Sequence, residues 1–177
     1  MQPSLWINSM ATGTEQPAGP ALELQLAQLP EGSLIAIDTA PLIFWLEGHP
    51  RWAAAYAALF DGLDAGRWQG LLSTITLAEL LTGPLQQGRD ELAERYAAAL
   101  CDPGSFQLAS LTPAIATSAA RLRARYKLRL PDALQLATAL QGGAQALVTH
   151  DRDFAGCNDL PILGLSRSTP PNLTNPG

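Results

Sequence analysis

Four acidic residues each follow a short apolar segment of this 177-residue chain, and they are Asp38, Glu79, Asp132 and Asp151. In a chain of alternating strands and helices, the strand ends gather along one edge of a parallel sheet, where α/β proteins place their sites. Four carboxylates at that edge would repel one another unless divalent cations lay between them. Because all the ligands are oxygens, with no Cys or His cluster, the pattern favours Mg²⁺ or Mn²⁺.

Each of these acids also has an ordinary structural explanation when it is taken alone. Asp38 could cap the helix that follows its strand, and Asp151 could begin a turn. Asp132 lies in a first helical turn, where a carboxylate complements the helix dipole. Glu79 completes a capping box in which Thr76 is the N-cap. Because all four acids are expected at one sheet edge, a shared site explains them together.

The elements that position these acids alternate between strands and helices. Strands are predicted at 34–37, 71–75, 106–110, 146–149 and 162–165. Helices are predicted at 21–29, 41–47, 51–65, 90–100 and 112–126; a further helix ends at Gly83 and Pro84, and another runs from Pro131 to Gly142. The helix at 51–65 carries an apolar stripe expected to pack in the core, formed by Trp52, Tyr56, Leu59, Phe60 and Leu63. This alternation predicts an α/β fold with a mainly parallel sheet covered on both faces.

Composition divides the chain into three parts. Residues 1–30 are expected to form a partly disordered N-terminal extension with one short helix, 31–165 the domain, and 166–177 a disordered tail. Hydrophobic residues make up 47 % of the sequence, which is enough for one sizeable core.

Two distant cysteines without a CxxC spacing are expected to be reduced thiols. No signal peptide and no apolar run of about 18 residues is found, so a cytoplasmic protein is expected, with no membrane partner.

The charge of the chain limits how it could bind nucleic acid. A formal net charge of −5 argues against binding driven by overall charge, but it allows a local basic stripe. Five of the eleven Lys and Arg residues lie just before Asp132, and they are Arg121, Arg123, Arg125, Lys127 and Arg129. A solvated helix end with favourable cations is the alternative explanation for them. Arg129 and then Arg125 are the best candidates for contacts to nucleic-acid phosphates.

Four segments resemble the motifs of a known family. The segments IDTAPLIFWL, STITLAEL, LPDALQLATAL and VTHDRDF resemble, in order and approximate spacing, the four motifs of PIN-domain endoribonucleases, especially the VapC toxins of bacterial toxin–antitoxin pairs. The resemblance covers about residues 33–165. It implies a three-layer α/β/α PIN-like sandwich with a central, mainly parallel sheet. The 37 residues before Asp38 depart from the family, which usually reaches its first aspartate sooner.

The resemblance also implies which residues form the site and what they do. Asp38, Glu79, Asp132 and Asp151 would be catalytic residues and metal ligands, with Asp153 as a further ligand. Thr39 and Thr149 would support them through hydrogen bonds, and no catalytic role is assigned to His150. Mg²⁺, or Mn²⁺, would assist hydrolysis of RNA phosphodiester bonds.

The partners implied by the resemblance are an RNA substrate, a cognate antitoxin protein and a second copy of the chain in a homodimer. One alternative is a PIN-domain ribonuclease that processes RNA without an antitoxin. Another is a non-enzymatic acidic α/β signalling module, which would need a lysine after a late strand, whereas Lys127 lies before Asp132. An aspartyl-phosphate phosphatase would need a second aspartate at position 40, which is Ala40.

Overall fold

The computed structural model describes residues 19–164 except 103 and 105. The disorder predicted for the first residues and for the tail, and the predicted end of the fifth strand at Leu165, lie outside the described residues. Within them, five strands form one sheet. The strands are β1 (Leu34–Ile37), β2 (Gln69–Ser73), β3 (Gln107–Ala109), β4 (Ala146–Val148) and β5 (Ile162–Leu163).

The sheet has the order β3-β2-β1-β4-β5, and every neighbouring pair is parallel. Its central strand is β1, where Ala36 pairs with Leu71 of β2 on one side and with Leu147 of β4 on the other. The predicted α/β fold with a mainly parallel sheet is therefore confirmed. Because all five strands run in the same direction, their carboxyl ends lie along one edge of the sheet. The proposed grouping of the four acids requires this arrangement.

Seven α-helices of the described residues flank the sheet. They are α1 (Gly19–Leu26), α2 (Thr39–Leu46), α3 (Ala53–Asp64), α4 (Thr74–Gln86), α5 (Asp90–Cys101), α6 (Pro113–Tyr126) and α7 (Leu130–Gln141). A 3₁₀ helix at Arg152–Gly156 joins β4 to β5.

The alternation of side chains along β1 creates a core on each side of the sheet. Ile35 and Ile37 pack into a cluster that contains residues of α1, α2 and α3, whereas Ala36 packs with residues of α6 and α7. The apolar stripe predicted for the 51–65 segment lies in the first cluster, with Leu63 partly buried at its border. Two cores separated by one sheet give the three-layer arrangement.

Helix α4 corrects one prediction, because it continues through Gly83 and Pro84 to Gln86. A proline inside a helix removes one backbone hydrogen bond and crowds the preceding turn. The prediction that the helix breaks at Gly83 and Pro84 is therefore wrong. Both residues are buried, and their packing outweighs the loss of one backbone hydrogen bond near the end of the helix.

The N-terminal extension contributes α1 to the first core. Leu22 and Leu26 are 0 % and 1 % exposed. The Gln25 side-chain oxygen accepts a hydrogen bond of 3.0 Å from the backbone N–H of Gly164, just after β5. The described part of the N-terminal extension therefore packs as part of the domain.

Candidate metal centre

The carboxyl ends of β1 and β4 open into a cleft of about 680 Å³ that is lined by acidic side chains. Asp38 follows β1 directly, and Asp151 and Asp153 follow β4. Glu79 reaches the cleft from α4, and Asp132 from the first turn of α7. The full lining consists of Asp38, Thr39, Ala40, Ile43, Glu79, Thr82, Arg129, Pro131, Asp132, His150, Asp151, Arg152 and Asp153. The structure therefore brings all five acids named from the sequence to one place.

Asp38 is one of two buried acids in the cleft, with 8 % of the residue exposed, and Asp132 is the other, with 7 %. One carboxylate oxygen accepts a 2.8 Å hydrogen bond from the N–H of Thr39, and the other accepts a 2.6 Å bond from the hydroxyl of Thr149. Burial raises the pKa of Asp38 to about 6, although these two hydrogen bonds oppose the rise. Asp38 is also the N-cap of α2, so its capping role and its place in the cleft coexist.

Glu79 is held by the neighbouring threonine, because the Thr39 hydroxyl donates a hydrogen bond to its carboxylate. The capping box predicted for Glu79 is wrong. The N-cap of α4 is Ser73, whose hydroxyl oxygen accepts a 3.0 Å bond from the N–H of Thr76. Since α4 begins at Thr74, immediately after β2, Glu79 lies in the second turn of the helix and cannot reach the N-cap.

Three aspartates form the outer part of the cleft. Carboxylate oxygens of Asp132, Asp151 and Asp153 all lie within 4.8 Å of one another. The backbone N–H of Asp153 donates a 2.8 Å bond to Asp151, which keeps these two acids together at the start of the 3₁₀ helix. Burial raises the pKa of Asp132, and the nearby arginine cation partly opposes this shift.

That cation is the guanidinium of Arg129. Its Nε lies 2.9 Å from Asp132 and 3.8 Å from Asp153, and its Nη2 lies 2.6 Å from Asp151. The charge of Asp132 in turn raises the pKa of Arg129. A cluster of three carboxylates thus holds one organic cation, and the oxygen-only donor set suits a hard divalent cation equally well. The residues present therefore fit the metal that the sequence implied.

Arg125 does not belong to this cleft. It forms an ion pair of 3.0 Å with Asp159 and lies over the ring of Tyr126 at 4.9 Å. Arg125 lies in the last turn of α6, and the chain changes direction after that helix. Lys127 adopts a left-handed conformation with φ 58° there and turns the chain before α7. Of the five cations in the predicted basic stripe, all of them described residues, only Arg129 lines the cleft, and Arg152 is a lining arginine that the sequence reasoning missed.

A buried polar network behind the acids was also missed. The side chain of Gln135 contacts Ser73, Thr76 and Thr39. The signal available in the sequence was a lone amide three residues after Asp132 in an otherwise apolar segment, a spacing that puts both residues on one helix face.

His150 has a defined environment beside the cleft. Its Nδ1 lies 2.9 Å from the hydroxyl of Tyr56. Its ring centroid lies 4.4 Å from that of Trp52 and 5.2 Å from that of Phe44. These aromatic contacts fix the segment between β4 and Asp151, so they help to set where Asp151 stands.

Among the described residues, no helix is both long enough and apolar enough to cross a membrane. Cys101 is exposed and Cys157 is buried, and neither forms a disulfide.

A parallel five-stranded sheet with an acidic cleft at the carboxyl ends of its strands defines an α/β protein with a candidate cation site. The sequence profile of the PIN domain matches residues 35–158, and the chain belongs to the PIN-domain family. The resemblance noted in the four motifs is confirmed. The helix α1 lies before the matched region. No protein of curated function matches the sequence significantly.

Solved structures of toxin–antitoxin systems are similar to this chain. A toxin–antitoxin complex from Klebsiella pneumoniae is 29 % identical, with a TM-score of 0.53, covering 70 % of this chain and 92 % of that one. VapBC2 from Rickettsia felis, bound to a DNA fragment from its promoter, is 18 % identical, with a TM-score of 0.59 and coverage of 73 % and 96 %. VapC20 of Mycobacterium tuberculosis, described as a sarcin-ricin loop cleaving toxin, is 21 % identical, with a TM-score of 0.54 and coverage of 68 % and 92 %. At the identities of the last two, the likeness concerns the fold alone.

Proposed function

We propose that the chain is a Mg²⁺- or Mn²⁺-dependent endoribonuclease that hydrolyses RNA phosphodiester bonds, and that it is the toxin of a toxin–antitoxin pair. The observation that carries the proposal is the convergence of five acids on one cleft. They come from separate parts of the chain: the end of β1, the second turn of α4, the first turn of α7 and the segment after β4. Capping alone does not require such convergence.

The acids divide into two groups that would hold a cation. Asp38 and Glu79 are linked by Thr39, whose N–H and hydroxyl each bind one of them. Asp132, Asp151 and Asp153 form the outer group. When bound, a divalent cation supplies Lewis-acid polarisation of the phosphodiester and activation of an attacking water.

The remaining work falls to side chains of the protein itself. Thr149 donates to Asp38 while its oxygen accepts a 2.9 Å bond from the N–H of Asp151, so it sets the two acids relative to each other. With a pKa of about 6, Asp38 is mainly ionised at neutral pH and available to a cation. Arg129, whose side chain is 60 % exposed, lies where a phosphate oxygen could replace a carboxylate as its partner.

Positive charge at the cleft matters because the protein as a whole is acidic. With a net charge of −5, attraction of an RNA backbone has to come from local cations. Arg129 and Arg152 are the arginines of the cleft lining, and they provide that attraction beside the acids that would act on the phosphate.

The partner assignments rest on the relatives. The solved complex from Klebsiella pneumoniae at 29 % identity is a toxin–antitoxin complex, which supports an antitoxin partner for this chain. A homodimer is proposed by the same analogy with the family, and the choice of RNA target is open to experiment.

The experiment that tests the function compares purified wild-type protein with Asp38→Asn and Asp132→Asn. Each is incubated with a pool of cellular RNA and Mn²⁺, and the new RNA ends are sequenced. We expect discrete metal-dependent ends with the wild type and none with either variant. Asp61 is exposed on α3. Asp61→Asn is the matched control and should cleave RNA as the wild type does. Cleavage by Asp38→Asn at the wild-type rate would refute the proposal.

The toxin role needs a cellular test of its own. Induced expression of the wild-type chain should arrest growth, and co-expression of a small protein encoded by an adjacent gene should relieve the arrest. Growth that is equally normal with the wild type and with Asp38→Asn would contradict the toxin role while leaving the nuclease activity to be judged by the RNA ends.

A further inference from the structure

Gln135 is a buried amide in a helix that is otherwise apolar around it. It is 4 % exposed, and its neighbours Ala133, Leu134, Leu136 and Ala137 belong to the second core. A buried amide is costly unless its oxygen and nitrogen both find partners. Gln135 satisfies both ends, and the partners form a chain that ends at the candidate metal centre.

The direction of this chain follows from the atoms that can donate. The Ser73 hydroxyl oxygen accepts from the N–H of Thr76 at 3.0 Å, and its proton goes to the Gln135 oxygen at 2.8 Å. The Gln135 nitrogen, which can only donate, gives its protons to the hydroxyl oxygens of Thr76 at 2.5 Å and Thr39 at 3.4 Å. The single hydroxyl proton of Thr39 is therefore directed to Glu79.

We infer that Gln135 is a positioning residue for the metal centre, an inference that rests on the proposed function. It acts through Thr39, whose hydroxyl holds one carboxylate oxygen of Glu79 and whose N–H binds Asp38 at 2.8 Å. Partners that orient metal ligands from behind contribute to metal affinity, and their loss costs about 10- to 100-fold. Gln135 touches neither the cation nor the substrate, so its effect has to pass through this hydrogen-bonded chain.

The first test measures Mn²⁺ affinity by isothermal titration calorimetry at pH 7.5, together with the free energy of unfolding in EDTA. Gln135→Leu removes the amide and keeps an apolar side chain in its place. We expect it to lower stability and to weaken Mn²⁺ binding about tenfold. Gln135→Glu keeps the shape but replaces the donating nitrogen with an accepting oxygen, so it should also weaken Mn²⁺ binding.

Thr76→Val is the matched control, because it breaks the other branch of the same chain. The Thr76 hydroxyl accepts from Gln135 but has no bond to Thr39 or Glu79 among those described. We expect Thr76→Val to lower stability while changing Mn²⁺ affinity by less than about twofold. Equal Mn²⁺ affinity in wild type, Gln135→Leu and Thr76→Val would overturn the inference, and so would an equal loss in both variants.

A double-mutant cycle tests the route of the effect. If Gln135 acts through Thr39, then adding Gln135→Leu to Thr39→Val should cause no further loss of Mn²⁺ affinity. Additive losses would show that Gln135 does not act through Thr39 and would overturn the inference. Thr39→Ser, which keeps the hydroxyl, should restore most of the affinity that Thr39→Val loses.

The failure of this inference can be told apart from a failure of the proposed function. If Asp38→Asn binds Mn²⁺ as tightly as the wild type, the metal centre itself is refuted and the inference falls with it. If Asp38→Asn loses Mn²⁺ binding and Gln135→Leu does not, the metal centre stands and only the role of Gln135 is refuted.

Discussion

Asp38→Asn should make the metal-free protein more stable at neutral pH, although it removes a residue of the proposed centre. Burial raises the pKa of Asp38 from 3.8 to about 6. Since one pKa unit corresponds to about 1.36 kcal/mol, ionising this carboxyl in the folded protein costs about 3 kcal/mol. Asparagine carries no charge and avoids this cost.

The full amount will not be recovered, because one hydrogen bond has to rearrange. In the Asp38→Asn variant the side-chain oxygen can still accept from the N–H of Thr39, but the new amide nitrogen meets the Thr149 hydroxyl, which in the wild type donates to Asp38. Turning that hydroxyl round costs about 1 kcal/mol. We therefore expect a net gain of about 1–2 kcal/mol in the free energy of unfolding.

The pH dependence of the difference in stability identifies the ionisation of Asp38 as its cause. Because the folded pKa lies above the unfolded value, the stability linked to protonated Asp38 is fully present below about pH 3.8 and is lost as the pH rises through about 6. Because the rearranged hydrogen bond costs about 1 kcal/mol at every pH, the variant should be slightly less stable than the wild type near pH 4 and more stable above pH 7. Saturating Mn²⁺ should reverse the order at pH 7.5, since only the wild type would be stabilised by binding.

The assay is urea unfolding followed by circular dichroism, in EDTA and in Mn²⁺, at several values of pH between 4 and 8. Asp61→Asn on the exposed side of α3 is the control, and it should stay within about 0.5 kcal/mol of the wild type throughout. A variant less stable than the wild type in EDTA at pH 7.5, or a difference that does not change with pH, would refute the reasoning.

Three further predictions follow from the geometry. Arg129→Gln removes the cation that pairs with Asp132 and Asp151. Calorimetry should therefore show Mn²⁺ binding about fivefold more tightly, whereas RNA binding in EDTA should weaken. Unchanged Mn²⁺ affinity would show that the arginine does not compete with Mn²⁺ for these carboxylates. Mn²⁺ affinity of the wild type should fall about tenfold per pH unit below the Asp38 pKa of about 6, and a flat calorimetric profile from pH 5 to 7.5 would count against Asp38 as a ligand. Leu22→Ala should lower the free energy of unfolding by about 2–5 kcal/mol, because Leu22 is 0 % exposed; a loss below about 0.5 kcal/mol would mean that α1 packs only loosely.

The sequence predicted the sheet and the meeting of the acids because both depend on simple rules. Short apolar segments alternating with helical ones imply parallel strands, and parallel strands bring their carboxyl ends together. Asp38 and Asp151 follow β1 and β4, as that rule requires, whereas Asp132 reaches the same edge from the first turn of α7, which follows α6. Their capping roles, which seemed to compete with a site, are compatible with it in the structure, since Asp38 accepts a hydrogen bond from the N–H of Thr39 while lining the cleft.

The errors arose where the sequence offers two equivalent choices. Ser73 and Thr76 are both good N-cap residues, and the end of β2 at Ser73 decides between them. That end depends on pairing with β1 and β3, which no local pattern specifies. Arg125 was placed near the cleft because it is close to Asp132 in sequence, but the left-handed conformation of Lys127 separates the two helices. A lysine gives no sign of such a conformation.

The hydrogen bond between Thr149 and Asp38 joins residues 111 positions apart. Asp38 leaves the ribosome early, whereas β4, Thr149 and Asp151 are among the later parts of the described chain to be made. Until β4 pairs with β1, the buried environment of Asp38 is incomplete, and Asp151 and Asp153 have not joined Asp132 in the outer group. Synthesis from the N-terminus thus yields a nascent chain without an assembled cleft, and its completion coincides with the last strands of the sheet. A cell that makes this protein would therefore meet the finished centre only after β4 and the segment that follows it have been made.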